Sequence, residues 1–261
     1  MPRSGNPLDA LDPRKPALIN RDGSMPFAST DLALARDKVR HVGECVALVV
    51  AETLNLAMDG ADLFAIDYEP IAAVTDVADA ARPGAPSVWD EAPDNIAVDC
   101  EWGDSAAVET AFSGAHHVVE LNLRNNRVVN AQMEPRAAVG EYNTVSRCYT
   151  LHAGSQSVHR QKAEIARIFD VPLNDVRVIA GDVGGGYGPR MSMYPEFVLV
   201  VWAAKRLERP IKWTSTRAEA FISDHQARDQ TSRSALAFDA EGHILAMRCG
   251  ILYNLSLIHI S

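Results

Sequence analysis

The sequence lacks any close pair of cysteines. Cys45, Cys100, Cys148 and Cys249 are each about fifty or more residues apart, without a C-x-x-C pair or a Cys/His cluster. That spacing argues against a zinc site or an iron-sulfur cluster on this chain, and four dispersed cysteines read as buried free thiols in a reducing compartment. The eight histidines include one adjacent pair, His116 and His117, but nothing with the i, i+4 spacing of a zinc helix. No Lys/Arg-rich run occurs, and a formal charge of −9 with a pI near 5.3 repels a phosphate backbone, so nucleic acid is not an expected partner. No apolar run reaches the roughly 20 residues that span a bilayer, and no secretory signal opens the chain. The expectation is a cytoplasmic protein with no membrane span.

What is present is ordinary for a globular protein: 261 residues, 47% hydrophobic and 7% aromatic, enough for a sizeable core. Residues 1–38 are rich in Pro, Gly, Asp and Arg and read as loop. A first α/β unit follows, with the apolar run 46–51 as a buried strand, 52–61 as helix and 63–68 as a second strand. The Pro-containing stretch 81–101 reads as a connection. A short helix is predicted over 108–115 and a strand over 118–123. A second unit has strands at 149–152 and 176–180 flanking a helix at 158–169. A helix starting at Pro195 and running to Leu207 is apolar on nearly every side and is expected to be central to the core. A strand at 211–216 and a hairpin, 235–238 with 244–247, complete a mixed α/β fold.

Directly after the β-branched run Val176, Val178, Ile179 the chain reads G-D-V-G-G-G-Y-G, five glycines within residues 181–188. Glycine tolerates positive φ and lets backbone N–H groups approach a bulky anion. The P-loop pattern fails, because Pro189-Arg190 stands where Lys-Ser/Thr is required, and the dinucleotide fingerprint fails because the third glycine is replaced by Pro189 or Met191. By itself the cluster is either an anion cradle or a structural turn.

Its surroundings carry more. The ordered segments H-V-G-E-C-V-A-L-V-V-A-E-T (41–53), D-Y-E-P-I-A-A-V-T-D (67–76), M-E-P-R-A-A-V-G-E-Y (133–142), S-Q-S-V-H-R (155–160), G-D-V-G-G-G-Y-G (181–188), Y-P-E (194–196) and R-P-I-K-W-T (209–214) resemble the large subunit of molybdenum hydroxylases, in the aerobic carbon monoxide dehydrogenase and xanthine dehydrogenase branch. The resemblance implies a partial α/β hammerhead-like domain over 1–80, a connection over 81–100, and the first part of a molybdopterin-binding domain over 101–261. It implies molybdopterin with molybdenum, as its cytosine dinucleotide. The dithiolene of that cofactor supplies the metal's sulfur ligands, so no protein residue ligates the metal. Gln156 matches the position whose amide faces a molybdenum oxo group, and Gly185, Gly186, Tyr187 and Gly188 match the loop that lines the cofactor through its backbone. An iron-sulfur small subunit and an FAD-binding medium subunit are implied as partners, and the implied reaction is oxidation or hydroxylation of a small molecule with water as oxygen source.

Other residues receive structural expectations. Glu134 is expected to hold Arg136 or a nearby backbone group, and Glu196 to sit at a helix N-terminus, favoured by the macrodipole. His152 and His159 flank Gln156 as structural residues, while Arg217, Glu219 and Arg228 suggest an ion-pair set or charged face. Tyr187 replaces the family's usual phenylalanine, and Pro189-Arg190 replaces a commoner residue plus lysine. The family's general-base glutamate falls in a later region, so no catalytic residue is assigned here. The start and the last seven residues read as truncations, and the isolated chain is expected to lack turnover. The alternative is a truncated non-catalytic homologue or assembly partner.

Overall fold

The computed structural model describes residues 18–27, 29 and 32–255. Readings of 1–17 as loop and of the stretch after Leu255 lie outside these residues. The chain forms two compact units: one from the described parts of Thr30–Pro70 and Val129–His225, the other from those of Asn6–Ser29, Ile71–Val128 and Gln226–Ser261.

The first unit is built on a four-stranded sheet. Its strands are β2 (Ala137–Asn143), β3 (Cys148–Ala153), β4 (Val176–Ile179) and β5 (Ile211–Thr214), in spatial order β4-β3-β2-β5. β2 is antiparallel to β3 and β5, and β3 is parallel to β4. Parallel neighbours need a crossover, which is supplied by helix α4 (Val158–Phe169), closed by Asp170 in the left-handed conformation, φ 53°. Helix α5 (Pro195–Leu207) packs on β2 so closely that a Cβ at Gly140 would lie 2.4 Å from the Val200 carbonyl. Glycine is required there by space.

The core of this unit joins Tyr149, Leu151 and Val176 of the sheet to Ile165 of α4 and Phe197, Val200 and Val201 of α5. Each fully buried side chain of this kind contributes about 1.5–3 kcal/mol relative to exposure. The expectation that α5 is central therefore holds, except that Trp202 and Leu207 are exposed.

Two predicted strands do not form. Residues 46–51 and 63–68 are irregular, and the helix between them, α1, spans Leu54–Asp62. A strand is defined by ladder partners as much as by composition, and among the described residues 46–51 pairs with none; the neighbouring Cys45 carbonyl accepts a single bond, from the Ala35 N–H. The thiols also differ from expectation: all four cysteines are free, but Cys249 is exposed and the others are half-buried.

The second unit holds an antiparallel sheet of β1 (His117–Asn125), β6 (Gln230–Phe238) and β7 (Ile244–Tyr253), in order β1-β6-β7. The predicted hairpin is present and longer than its apolar pattern indicated, with Asp239 tying its turn by accepting from the Glu241 and His243 N–H groups. Helix α2 (Val77–Ala80) is capped by Asp76, and α3 (Ser105–Ser113), three residues earlier than predicted, by Asp104. Burial in this sheet centres on Ala235 and Ala237 of β6, while β1 exposes Val118, Val119, Leu121 and Leu123.

Candidate functional site

The glycine loop follows β4, and the turn bearing Gln156 follows the neighbouring β3, so the parallel pair delivers both from adjacent strand ends. The Gly188 N–H donates to Gln156 Oε1 at 2.9 Å. A backbone N–H can only donate, which fixes the amide oxygen toward the loop and leaves the amide NH2 as the end available to an acceptor. Gly186 lets Gln156 lie against the loop, since a Cβ there would come within 2.4 Å of Gln156 Cδ and displace that side chain. Gly185 and Gly188 have φ of +113° and +105°, and Tyr187 also takes the left-handed region at φ 53°. Its ring is 73% exposed.

Glu134 takes the structural role expected of it, with a partner fifty residues away. Its carboxylate accepts from the Gly184 N–H at 2.7 Å, and its own N–H donates to the Gly184 carbonyl at 3.2 Å. Gln132 Nε2 donates to the Gly186 carbonyl at 3.1 Å and Asn130 Nδ2 to the Tyr187 carbonyl at 3.0 Å. Among the described residues the N–H groups of Gly185, Gly186 and Tyr187 have no acceptor. The Gly184, Gly186 and Tyr187 carbonyls are thus captured while three N–H groups stay available, the reverse of a self-contained turn.

Arg190 is buried, 2% exposed, and donates to the Glu134 carbonyl; desolvation pushes its guanidinium below the ordinary arginine range. Its carbonyl accepts from the Gln156 N–H at 3.1 Å. The Pro189-Arg190 pair therefore ties the glycine loop to the Gln156 turn. Gln161, on α4, reinforces this by donating to the Ser192 carbonyl at 3.2 Å.

Arg136 is fully buried and makes ion pairs of 2.7 Å with both Glu196 and Asp224, lying over the Tyr194 ring at 3.9 Å. Glu196 does sit in the first turn of α5, yet its main partner is this arginine. Burial pushes the Tyr194 hydroxyl up to about 12, and burial with the nearby Glu196 does the same to the Cys45 thiol.

Arg217 and Glu219, suggested with Arg228 as an ion-pair set or charged face, each have other partners. Arg217 donates to the carbonyls of Gln132 and Met133, each at 2.6 Å. Glu219 closes a capping box with Thr216 at the start of helix α6 (Arg217–Ser223), and Arg228 lies in the other unit with φ 72°. His152 faces Glu141 across the β2–β3 pair at 3.7 Å. Sequence reasoning passed over Asn130, Gln132 and Gln161; the one available signal was the proximity of the first two to Glu134.

The donors at the loop are neutral, and the group of three clustered metal-ligating side chains among the described residues, Asp239, Glu241 and His243, lies on the β6–β7 turn of the other unit. Such a surface suits an anionic group that brings its own metal ligands. The sequence profile described as "Molybdopterin cofactor-binding domain" matches residues 88–259. The chain belongs to this family. A second profile, "Aldehyde oxidase and xanthine dehydrogenase, a/b hammerhead domain", matches residues 15–72. The molybdopterin-family chain is 34% identical to the 6-hydroxypseudooxynicotine dehydrogenase complex subunit gamma of Paenarthrobacter nicotinovorans, over 85% of its own length and 27% of that protein. It is 30% identical to the carbon monoxide dehydrogenase large chain of Afipia carboxidovorans, over 87% of its length and 30% of the relative. Among solved structures, quinoline 2-oxidoreductase from Pseudomonas putida 86 superposes with a TM-score of 0.79 at 30% identity, covering 86% of this chain and 28% of that one. The chain therefore spans under a third of each of these relatives, which include large subunits of molybdopterin oxidoreductases. No helix among the described residues is long and apolar enough to cross a membrane.

Proposed function

We propose that this chain is part of the large subunit of a molybdenum hydroxylase and supplies one wall of its molybdopterin site. The observation that carries the reading is the loop face: Gly185, Gly186 and Tyr187 N–H groups without acceptors, beside a Gln156 amide whose oxygen is already engaged by Gly188. When bound, molybdopterin supplies the redox-active metal at which a small molecule is oxidised with water as oxygen source. The chain's own residues bind and orient. Gln156 would donate its amide NH2 to an oxo group, and Gly185, Gly186, Tyr187 and Gly188 would line the cofactor, the first three donating from backbone N–H groups to its oxygen and phosphate acceptors while the Gly188 N–H holds Gln156. Neutral donors suit a metal centre whose charge changes during turnover, because they hold the ligand without shifting their own protonation.

We further assign 1–80 to the hammerhead-like part, 81–100 to a connection and 101–261 to the cofactor-binding part. The cytosine dinucleotide form, iron-sulfur and FAD partner subunits, and a cytoplasmic location complete the reading. The dispersed free thiols support that location and leave an iron-sulfur cluster to a partner. The test is to express the parent protein in a molybdenum-replete host and measure bound molybdenum and pterin by mass spectrometry. Stoichiometric metal, lost in Gln156→Ala, is the expected result; a metal-free, pterin-free parent overturns the reading.

A further inference from the structure

A planar trans peptide points its C=O and its N–H in opposite directions, so capturing a carbonyl aims the next residue's N–H the other way. The segment 130–134 applies this to the glycine loop at alternate positions. Glu134 N–H holds the Gly184 carbonyl, which orients the Gly185 N–H; Gln132 holds the Gly186 carbonyl, which orients the Tyr187 N–H; Asn130 holds the Tyr187 carbonyl, which orients the Gly188 N–H. The last of these can be checked directly, because the Gly188 N–H meets Gln156 Oε1 on the side opposite Asn130, at 2.9 Å.

Gln132 is the most constrained of the three. It is 2% exposed, its Cβ would touch a Cβ at Gly185 at 3.3 Å, and its carbonyl is pinned by Arg217 at 2.6 Å. We propose that Gln132 is a positioning residue that sets the anion-recognising face of the loop, by holding the Gly186 carbonyl so that the Tyr187 N–H is presented to ligand. The inference rests on the reading of the loop as a cofactor wall, but concerns a residue that needs no contact with cofactor.

The experiment uses the 15N-labelled 261-residue chain titrated with sulfate at constant ionic strength, following the Gly185 and Tyr187 amide shifts. Sulfate stays a dianion across the pH range used, so the probe itself does not titrate. Gln132→Glu preserves shape but presents an acceptor-only carboxylate to the Gly186 carbonyl at pH 8. Sulfate binding is expected to weaken about tenfold, the consequence of losing one oriented hydrogen bond. Relative to the wild type, which carries the same Glu134 carboxylate behind Gly184, it should recover as pH falls toward the carboxyl range near ~4.3, where the protonated acid at position 132 can donate again. Equal affinity, with a variant-to-wild-type ratio that does not change with pH, overturns the inference and leaves the cofactor reading standing. Wild-type amides that ignore sulfate overturn this inference and the anion-binding face together. Should Gln132→Glu lose its dispersed spectrum, the uncharged, similarly sized Gln132→Met, which removes the donor without adding charge, carries the test through the Tyr187 amide, with about tenfold weaker binding expected and unchanged binding overturning the inference.

Discussion

Within the first unit, Arg136 has no exposed surface and meets Glu196 and Asp224 at 2.7 Å each, whereas Gly184 and Gly188 are exposed and are held by uncharged backbone groups hydrogen-bonding to Glu134 and Gln156. The first arrangement concentrates full charges where water is excluded and pairs them. The second presents backbone dipoles where a ligand can reach, from Gly185, Gly186 and Tyr187 N–H groups that carry no formal charge. The contrast separates two uses of polarity. Paired buried ions lock one arrangement of β2, α5 and α6, because any other leaves a charge uncompensated. Oriented neutral donors recognise an anion without competing with one another for protons.

The largest effect expected from breaking this division is Arg136→Met, which strands Glu196 and Asp224 in the core. A loss of about 3–5 kcal/mol in chemical denaturation is expected; a loss below about 1 kcal/mol would mean that the ion cluster does not hold the scaffold. Gly140→Ala comes next. Its methyl would meet the Val200 backbone at 2.4 Å, forcing α5 off the sheet at a cost of about 1–3 kcal/mol, and an unchanged melting transition would refute the close approach. Gly186→Ala sharpens the comparison from the other side. The methyl displaces the flexible Gln156 side chain rather than backbone, so stability should change by less than about 0.5 kcal/mol. The hydrogen-exchange protection of the Gly188 amide should nevertheless fall, and retention of that protection would show that Gln156 is not held as described.

The smallest effect is the pH response of the core. In the folded chain both Cys45 and Tyr194 stay neutral up to about 12, while their ordinary values are 9.0 and 10.0. The unfolded chain therefore loses these protons first, and stability falls as pH rises from 9.0 toward about 12, with no contribution from either group below that window. Cys45→Ala should flatten the lower part of that slope. In the folded chain at pH 9, Cys249 should alkylate well before Cys45; equal rates would contradict the burial of the Cys45 thiol.

Much of the first unit was legible because its signals are local. Helix α4 and helix α5 begin and end where apolar periodicity, Pro195 and the residues after Phe169 place them. The strands at 46–51 and 63–68 were misread because composition supplies neither the ladder partner that makes a strand nor the burial, and Leu63, Phe64 and Ile66 are exposed. β2 was recognised as a motif without being recognised as a strand, although Gly140 within it sets the distance to α5. At the site, Gln156 and the glycines could be named from motif order. Their hydrogen bonds could not, since Asn130, Gln132 and Glu134 lie some fifty residues from their partners.

The sequence by itself determined the family and the glycine-rich loop whose backbone can approach a ligand, because these depend on residue types and their order. Only the tertiary structure decided which loop carbonyls are captured, which N–H groups are left to a ligand, and that Arg136 rather than the helix dipole is the main partner of Glu196. Those outcomes depend on where planar peptides and buried charges meet groups distant in the chain. No local pattern encodes that meeting; the packing of α4, α5 and the four-stranded sheet does.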